Sequence, residues 1–267
     1  MSLKKDKEEM PKFPCFIGLL VPACNFTLLF QCFFSNPQSW SSDDQLWAYN
    51  ASMEWYHVLN RGVDKREIVL DDTDRARFLH DLFTFNDQQA TINFKLSEKR
   101  EQQRPRKLLV RLHAFCLMGN HYHLLLSDIA PNGMSLFMKK LNMGYARYFN
   151  EKYERTGALW QGKYKKKLIE RDAHFLYIPY YIHLNPLDFS MPEWREGRVA
   201  DTEKALKYLA DYRWSSHLDY LGTKNFPSVT EREYLAPIIG TRERYRKEIA
   251  RIIKDPDITA QSQMLET

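Results

Sequence analysis

From Met53 onward the apolar and polar positions change period several times, and each change predicts an element. Trp55, His57 and Leu59 alternate with Tyr56 and Val58 in the two-residue period of a strand, and Asn60-Arg61-Gly62 then reads as a turn into KREIVL. In DDTDRARFLHDLFTF, Phe78, Leu79, Leu82 and Phe83 recur at helical spacing behind the N-cap candidates Asp72 and Thr73. Residues 97–107, SEKREQQRPRK, are polar and interrupted by proline, which predicts an exposed loop. Two apolar runs, LLVRLHAFCLM and HYHLLLSD, meet at Gly119-Asn120, so they predict a β-hairpin whose turn uses positive φ. A second amphipathic helix is expected from Ser135, its N-cap, to about Glu154, with Phe137, Leu141, Tyr145, Tyr148 and Phe149 on one stripe. ALWQGKYKKKLIE then predicts a strand, and RDAHFLYIPYYIHLNP a short helix that stops at Asn185-Pro186.

The resulting order, β, α, β, β, α, β, α, suits an α+β domain in which helices cover one face of an antiparallel sheet. Beyond residue 190 the pattern is less regular. It closes on a basic helix, TRERYRKEIARIIK, whose Tyr245, Ile249, Ile252 and Ile253 form an apolar stripe expected to dock. These changes divide the chain into an extension at 1–52, a main domain at 53–190 and an accessory region at 191–267. The extension holds 21 consecutive uncharged residues, PCFIGLLVPACNFTLLFQCFF. That length suits a membrane span or a signal segment, but two prolines, Asn25 and Gln31 weaken both readings. Translated upstream sequence before a start at Met53, or a soluble extension, fits as well, and membrane association is not expected.

Composition changes this picture little. The chain has 267 residues, enough for one medium domain with appendages, and Lys+Arg exceed Asp+Glu by 39 − 34 = 5. Four cysteines without a CxxC pair point to neither a zinc knuckle nor a disulfide framework, and a reducing compartment is the default. Local charge is more informative. From Lys139 to Arg171 there are ten Lys/Arg against three Glu. Lys163, Lys165 and Lys167 share one predicted strand face that could track a phosphate backbone, with Lys139, Lys140 and Arg61 as further DNA-contact candidates. Lysines that protect an edge strand from aggregation are the alternative.

The candidate chemistry lies in GNHYHLLL. On a strand, His121 and His123 point to one face and Tyr122 to the other, so two neutral imidazoles can share a divalent metal. Two ligands leave a site incomplete. A third ligand and a chemical actor must come from elsewhere in the chain.

GNHYHLLL, GALWQGKYKKKLIERDAHFLYIPYYIHLNP and YRWSSHLDYLG occur in that order, and the chain from Trp55 to Gly222 resembles the REP-associated tyrosine transposases, within the single-tyrosine HUH endonucleases. The resemblance implies a ferredoxin-like HUH fold, an antiparallel sheet with helices packed on it, followed here by a mostly helical tail. It implies Tyr181 as nucleophile and His121, His123 and Asn185 as ligands of Mg²⁺ or Mn²⁺. The implied reaction is attack on a phosphate of single-stranded or hairpin DNA, leaving a 5′-phosphotyrosine and a free 3′-hydroxyl. The implied setting is the cytoplasm, with nucleoid association, in a monomer or homodimer.

A free phenol ionises near ~10, so the nucleophile needs activation by the metal, nearby cations or a bound water. Tyr180 is the alternative nucleophile if the helix is rotated. Tyr145 and Tyr148 read as core residues, His183 as facing elsewhere, and His174, two turns before Tyr181, as a residue able to approach the site. Pro179 threatens the helical spacing on which the pairing of Tyr181 with Asn185 rests. Two other functions compete. A His-x-His hydrolase needs a repetitive barrel of ~250 residues, which the element order does not supply. A domesticated, non-catalytic DNA-binding protein would not need the histidines, the tyrosine and Asn185 together.

Overall fold

The computed structural model describes residues 53–89, 105–169 and 172–260, with backbone alone for 172–174. The N-terminal extension, most of the polar loop and the His174 side chain lie outside the described residues. Among the described residues four strands, β1 (Trp55–Arg61), β2 (Val110–Leu117), β3 (His121–Asp128) and β4 (Lys165–Leu168), form one sheet in the order β2-β3-β1-β4. Every pairing is antiparallel. The longer helices are α1 (Asp72–Thr84), α2 (Gly133–Lys152), α3 (Asp172–Leu184), α4 (Thr202–Asp211) and α5 (Arg242–Ile252). Among the described residues no helix is long and apolar enough to cross a membrane.

Helices cover both faces of the sheet, not one. Val58, Phe115, Leu117, Tyr122, Leu124 and Leu126 pack with α1 and α2. Trp55, Ala114, Cys116 and Leu125 pack with α3, α4 and α5. The reason lies in β3, whose residues are buried from His121 to Ser127. A strand with an unbroken apolar run such as Leu124-Leu125-Leu126 has no solvent face and requires cover on each side. The docking stripe of α5 is as expected, with Tyr245, Ile249, Ile252 and Ile253 all buried. The segment before it also closes the free edge of β2. Leu117 N–H donates to Trp214 O, Ser216 N–H donates to Phe115 O, and Glu231 N–H donates to Leu112 O.

Several local expectations shift. β1 runs through Arg61, because that residue pairs with His121, and the turn falls at Val63–Lys65, where Asp64 and Lys65 take positive φ. Gly119 and Asn120 are not among the positive-φ residues. A Cβ at 119 would instead lie 2.2 Å from Glu67 Oε2, so a larger residue there would have to displace the Glu67 carboxylate. α1 is capped by Asp71, whose carboxylate accepts from Asp74 N–H. α2 starts at Gly133, with Ser135 inside its first turn, and Asp128 Oδ1 accepts from Met134 N–H. The strand expected over 158–170 is in the ladder only at Lys165–Leu168, with Trp160 making an isolated bridge to Gly62.

α1 and α2 are clasped through Asp74. Its carboxylate accepts from Lys152 Nζ at 2.7 Å, Tyr148 Oη at 2.9 Å, Tyr153 Oη at 2.7 Å and Leu70 N–H at 2.8 Å. Burial opposes ionisation, but Lys152, the Leu70 amide and the two phenols outweigh it and hold the carboxyl below its ordinary value of 3.8. Such a group contributes stability at every pH above the unfolded value and loses it as pH falls through the lower folded one. Asp74→Asn is therefore expected to cost about 2–4 kcal/mol near neutrality. In urea titrations the gap between the variant and the native protein should narrow as pH drops below 3.8.

Candidate active site and metal centre

Leu59 stands opposite His123 and Arg61 opposite His121. The two-residue period of the strands therefore puts His57, Arg61, His121 and His123 on one face. Tyr122 points to the other, where its hydroxyl donates to Asn142 Oδ1 at 2.7 Å. His121 Nδ1 lies 2.6 Å from Asn120 Oδ1. An amide oxygen only accepts, so the proton is on Nδ1 and the lone pair on Nε2. The orientation of the Asn120 amide is fixed by its Nδ2, which donates to Lys65 O at 3.1 Å. His123 Nδ1 lies 2.9 Å from His57 Nε2, while His123 Nε2 is buried without a hydrogen-bond partner. Burial, reinforced by His121, His57, Arg195 and Arg61, holds His123 well below the usual imidazole range and therefore neutral.

α3 crosses this face and brings in the second half of the site. Tyr181 is 0% exposed, and its ring stands edge-on to His57 and His123 with centroids 5.8 and 5.7 Å away. α3 remains one helix through Pro179, and Asn185 follows directly on its last residue. The Asn185 amide donates to Tyr181 O at 2.8 Å, so the spacing of four survives the proline. Tyr180 turns the other way and stacks on Tyr245 at 5.4 Å. Burial, then Glu248, pushes its phenol up to about 12. His183 faces the tail, bonded to Tyr245 Oη and Ser216 Oγ at 2.7 Å each. Tyr145 and Tyr148 lie in or against the α1/α2 core, as their helical stripe implied.

Two functional candidates escaped the sequence. His57 alternates visibly with Trp55 and Leu59, but only the register places it against His123. Arg195 gave no periodic signal. It donates to Asn185 Oδ1 at 3.0 Å and, with two bonds, to Asp188 at 2.9 and 2.7 Å. Its guanidinium carbon stands 5.6 Å from the centroid of the Tyr181 ring. Of the expected DNA contacts, Lys165 and Lys167 pair opposite Leu59 and His57 and so share the histidine face, as does Arg61, whose Nε is buried without a partner. Lys163 precedes β4 and lines, with Lys139, Met143 and Tyr164, a groove beside α2. Lys140 bonds the carbonyls of Asp87 and Gln89.

The described residues contain no cluster of three or more His, Cys, Asp or Glu able to hold a metal. The three candidates from the sequence are neutral donors instead: Nε2 of His123, buried without a hydrogen-bond partner, Nε2 of His121, and the amide oxygen of Asn185, which accepts from Arg195.

Residues 87–185 match the family model described as "Transposase IS200 like". The matched segment includes His121, His123, Tyr181 and Asn185 and leaves out β1. The similarity therefore covers the middle of the chain, less than half of its 267 residues. Among solved structures, one titled "Structure of the REP associates tyrosine transposase bound to a REP hairpin" is 14% identical, covering 67% of this chain and 85% of that chain with a TM-score of 0.37. No curated protein matched the chain.

Arg195 and Trp194 both lie against the Tyr181 ring. Truncation of the guanidinium should uncover the phenol. Arg195→Ala is expected to raise nitration of Tyr181 by tetranitromethane several-fold, read by peptide mass spectrometry against Tyr145 as a buried internal reference.

Proposed function

We propose that the chain is a metal-dependent single-strand DNA endonuclease and strand transferase whose nucleophile is Tyr181. The observation that carries this reading is the meeting, within one chain, of the Tyr181 ring with His123, with Asn185 hydrogen-bonded one turn later. The three residues also fall inside the segment similar to IS200-like transposases.

His121 and His123 would hold the cation through Nε2 and Asn185 through Oδ1. Mg²⁺ or Mn²⁺ bound there supplies Lewis-acid charge to the scissile phosphate. The Tyr181 phenol loses its proton, and its oxygen forms a bond to phosphorus. The P–O3′ bond breaks, and the 3′-oxygen departs as a hydroxyl on taking up a proton. The DNA is left joined through its 5′-phosphate to Tyr181, and the energy of the ester is kept for reversal on another strand. Arg61, Lys165 and Lys167 offer positive charge on the same sheet face for the strand being cut, and Lys139 and Lys163 offer it beside α2. Lys140 contributes to DNA binding only if its two carbonyl bonds open. Tyr181 is fully buried, so productive binding moves the turn that carries Trp194 and Arg195.

Single-stranded DNA hairpins incubated with the protein and Mn²⁺ should give a covalent protein–DNA adduct on denaturing gels. Tyr181→Phe should abolish it and Tyr180→Phe should leave it. An adduct that persists in Tyr181→Phe sinks the nucleophile assignment, and the absence of an adduct on every hairpin favours a DNA-binding protein without cleavage.

A further inference from the structure

We propose that His57 is a positioning residue that sets the tautomer of His123 and aims its Nε2 at the metal; this rests on the metal-site reading above. His57 is 0% and His123 2% exposed, and their rings lie nearly parallel, 9° apart, with His57 Nε2 2.9 Å from His123 Nδ1. Two facing imidazole nitrogens at that distance share one proton. If His57 donates, His123 carries its own proton on Nε2, and a buried N–H is left with no acceptor, because that atom has no partner. If His123 donates, its proton is on Nδ1 and Nε2 presents a lone pair. The second arrangement leaves no stranded donor on His123, and it gives the form of imidazole that binds metal.

The neighbouring ligand supports the assignment independently. His121 is held in the same tautomer, Nδ1 protonated and Nε2 basic, by the amide oxygen of Asn120. The two histidines of the pair therefore receive the same service from different sources. For His121 it comes from the preceding residue. For His123 it comes from β1, through the register that sets Leu59 opposite His123. A metal-bound histidine is commonly oriented by an acceptor on its other nitrogen, and a second imidazole serves that purpose here. His57 lies outside the segment that matches the transposase family, so the assignment rests on this geometry alone.

The test is Mn²⁺ binding to the purified full chain without DNA, followed by the electron paramagnetic resonance of free Mn²⁺ up to millimolar concentration. His57→Leu is expected to weaken binding by about 10–100-fold. His57→Gln, whose amide oxygen can still accept from Nδ1–H, should restore most of the affinity. His121→Ala, which removes a ligand, should abolish binding and shows that the assay reads this site. Equal affinity in the folded His57→Leu variant and the native protein overturns the proposal.

Long-range ¹H–¹⁵N correlation spectra of the metal-free native protein give a second readout that no variant has to survive. His123 protonated on Nδ1 supports the assignment, and His123 protonated on Nε2 refutes it. If the native protein binds no Mn²⁺ while His123 still shows the Nδ1–H form, the metal-site reading fails and the His57–His123 tautomer assignment stands.

Discussion

Leu59 opposite His123 and Arg61 opposite His121 is the pairing on which the proposed chemistry depends. Because side chains alternate along a strand, a slip of one residue would send both histidines beneath α2 and bring Tyr122 to the face crossed by α3. Two-sided burial forbids the slip. Val58, Tyr122, Leu124 and Leu126 fill one core and Trp55 and Leu125 the other, so any shift would exchange polar groups for apolar ones on both faces at once. The hairpin end is pinned as well. Gly62 N–H donates to Asn120 O, and Ile68 N–H donates to Gly119 O, while the Glu67 carboxylate packs over Gly119.

The second constraint is the rotation of α3, and the C-terminal region supplies it. Tyr245 Oη lies 2.7 Å from His183 Nδ1 and 2.9 Å from His217 Nδ1, while His183 Nε2 meets Ser216 Oγ, which in turn accepts from Phe115 N–H. Burial pushes both histidines down, so the chain of bonds from α5 through α3 to β2 is made of neutral groups and carries no ionic desolvation penalty. With His183 fixed, Tyr180 must face α5 and Tyr181 must face the sheet. Pro179 costs an unrelieved helix about 3 kcal/mol, and burial of Tyr177, Ile178, Tyr181 and Ile182 around it offsets that cost.

What could be read from the sequence were the features with local periods. His-x-His on a strand is a statement about spacing, which fixes a face without knowledge of the rest of the fold, and once the family resemblance had singled out Tyr181 and Asn185, their spacing of four placed them on one helix face. Features that depend on distant partners were not legible. His57 was visible as an alternating strand residue, yet its meeting with His123 requires the β1–β3 register. Arg195 reaches Asn185 only because two short 3₁₀ turns, Asn185–Phe189 and Pro192–Glu196, fold the chain back. Ser135 had the right chemistry for a cap, but Asp128 occupies the amide one residue earlier. The cover on both faces was announced by three consecutive leucines in β3, a signal that outweighs the single-sided reading drawn from element order.

The balance of charge around the proposed ligands explains why an arginine can stand among them. Arg195 makes two hydrogen bonds to Asp188, so the cation that touches Asn185 arrives largely neutralised. It occupies one lone pair of the amide oxygen and, with the bond from Asn185 Nδ2 to Tyr181 O, fixes which way the amide faces. None of the proposed ligands is a carboxylate. A dication held by two imidazoles and an amide keeps its full charge, which weakens binding in the absence of an anion and strengthens it when a phosphate supplies the remaining ligands. In the proposed reaction, metal and DNA binding are thus coupled through charge, and Arg61, with its buried Nε unpartnered beside His121, adds to the same demand for a phosphate.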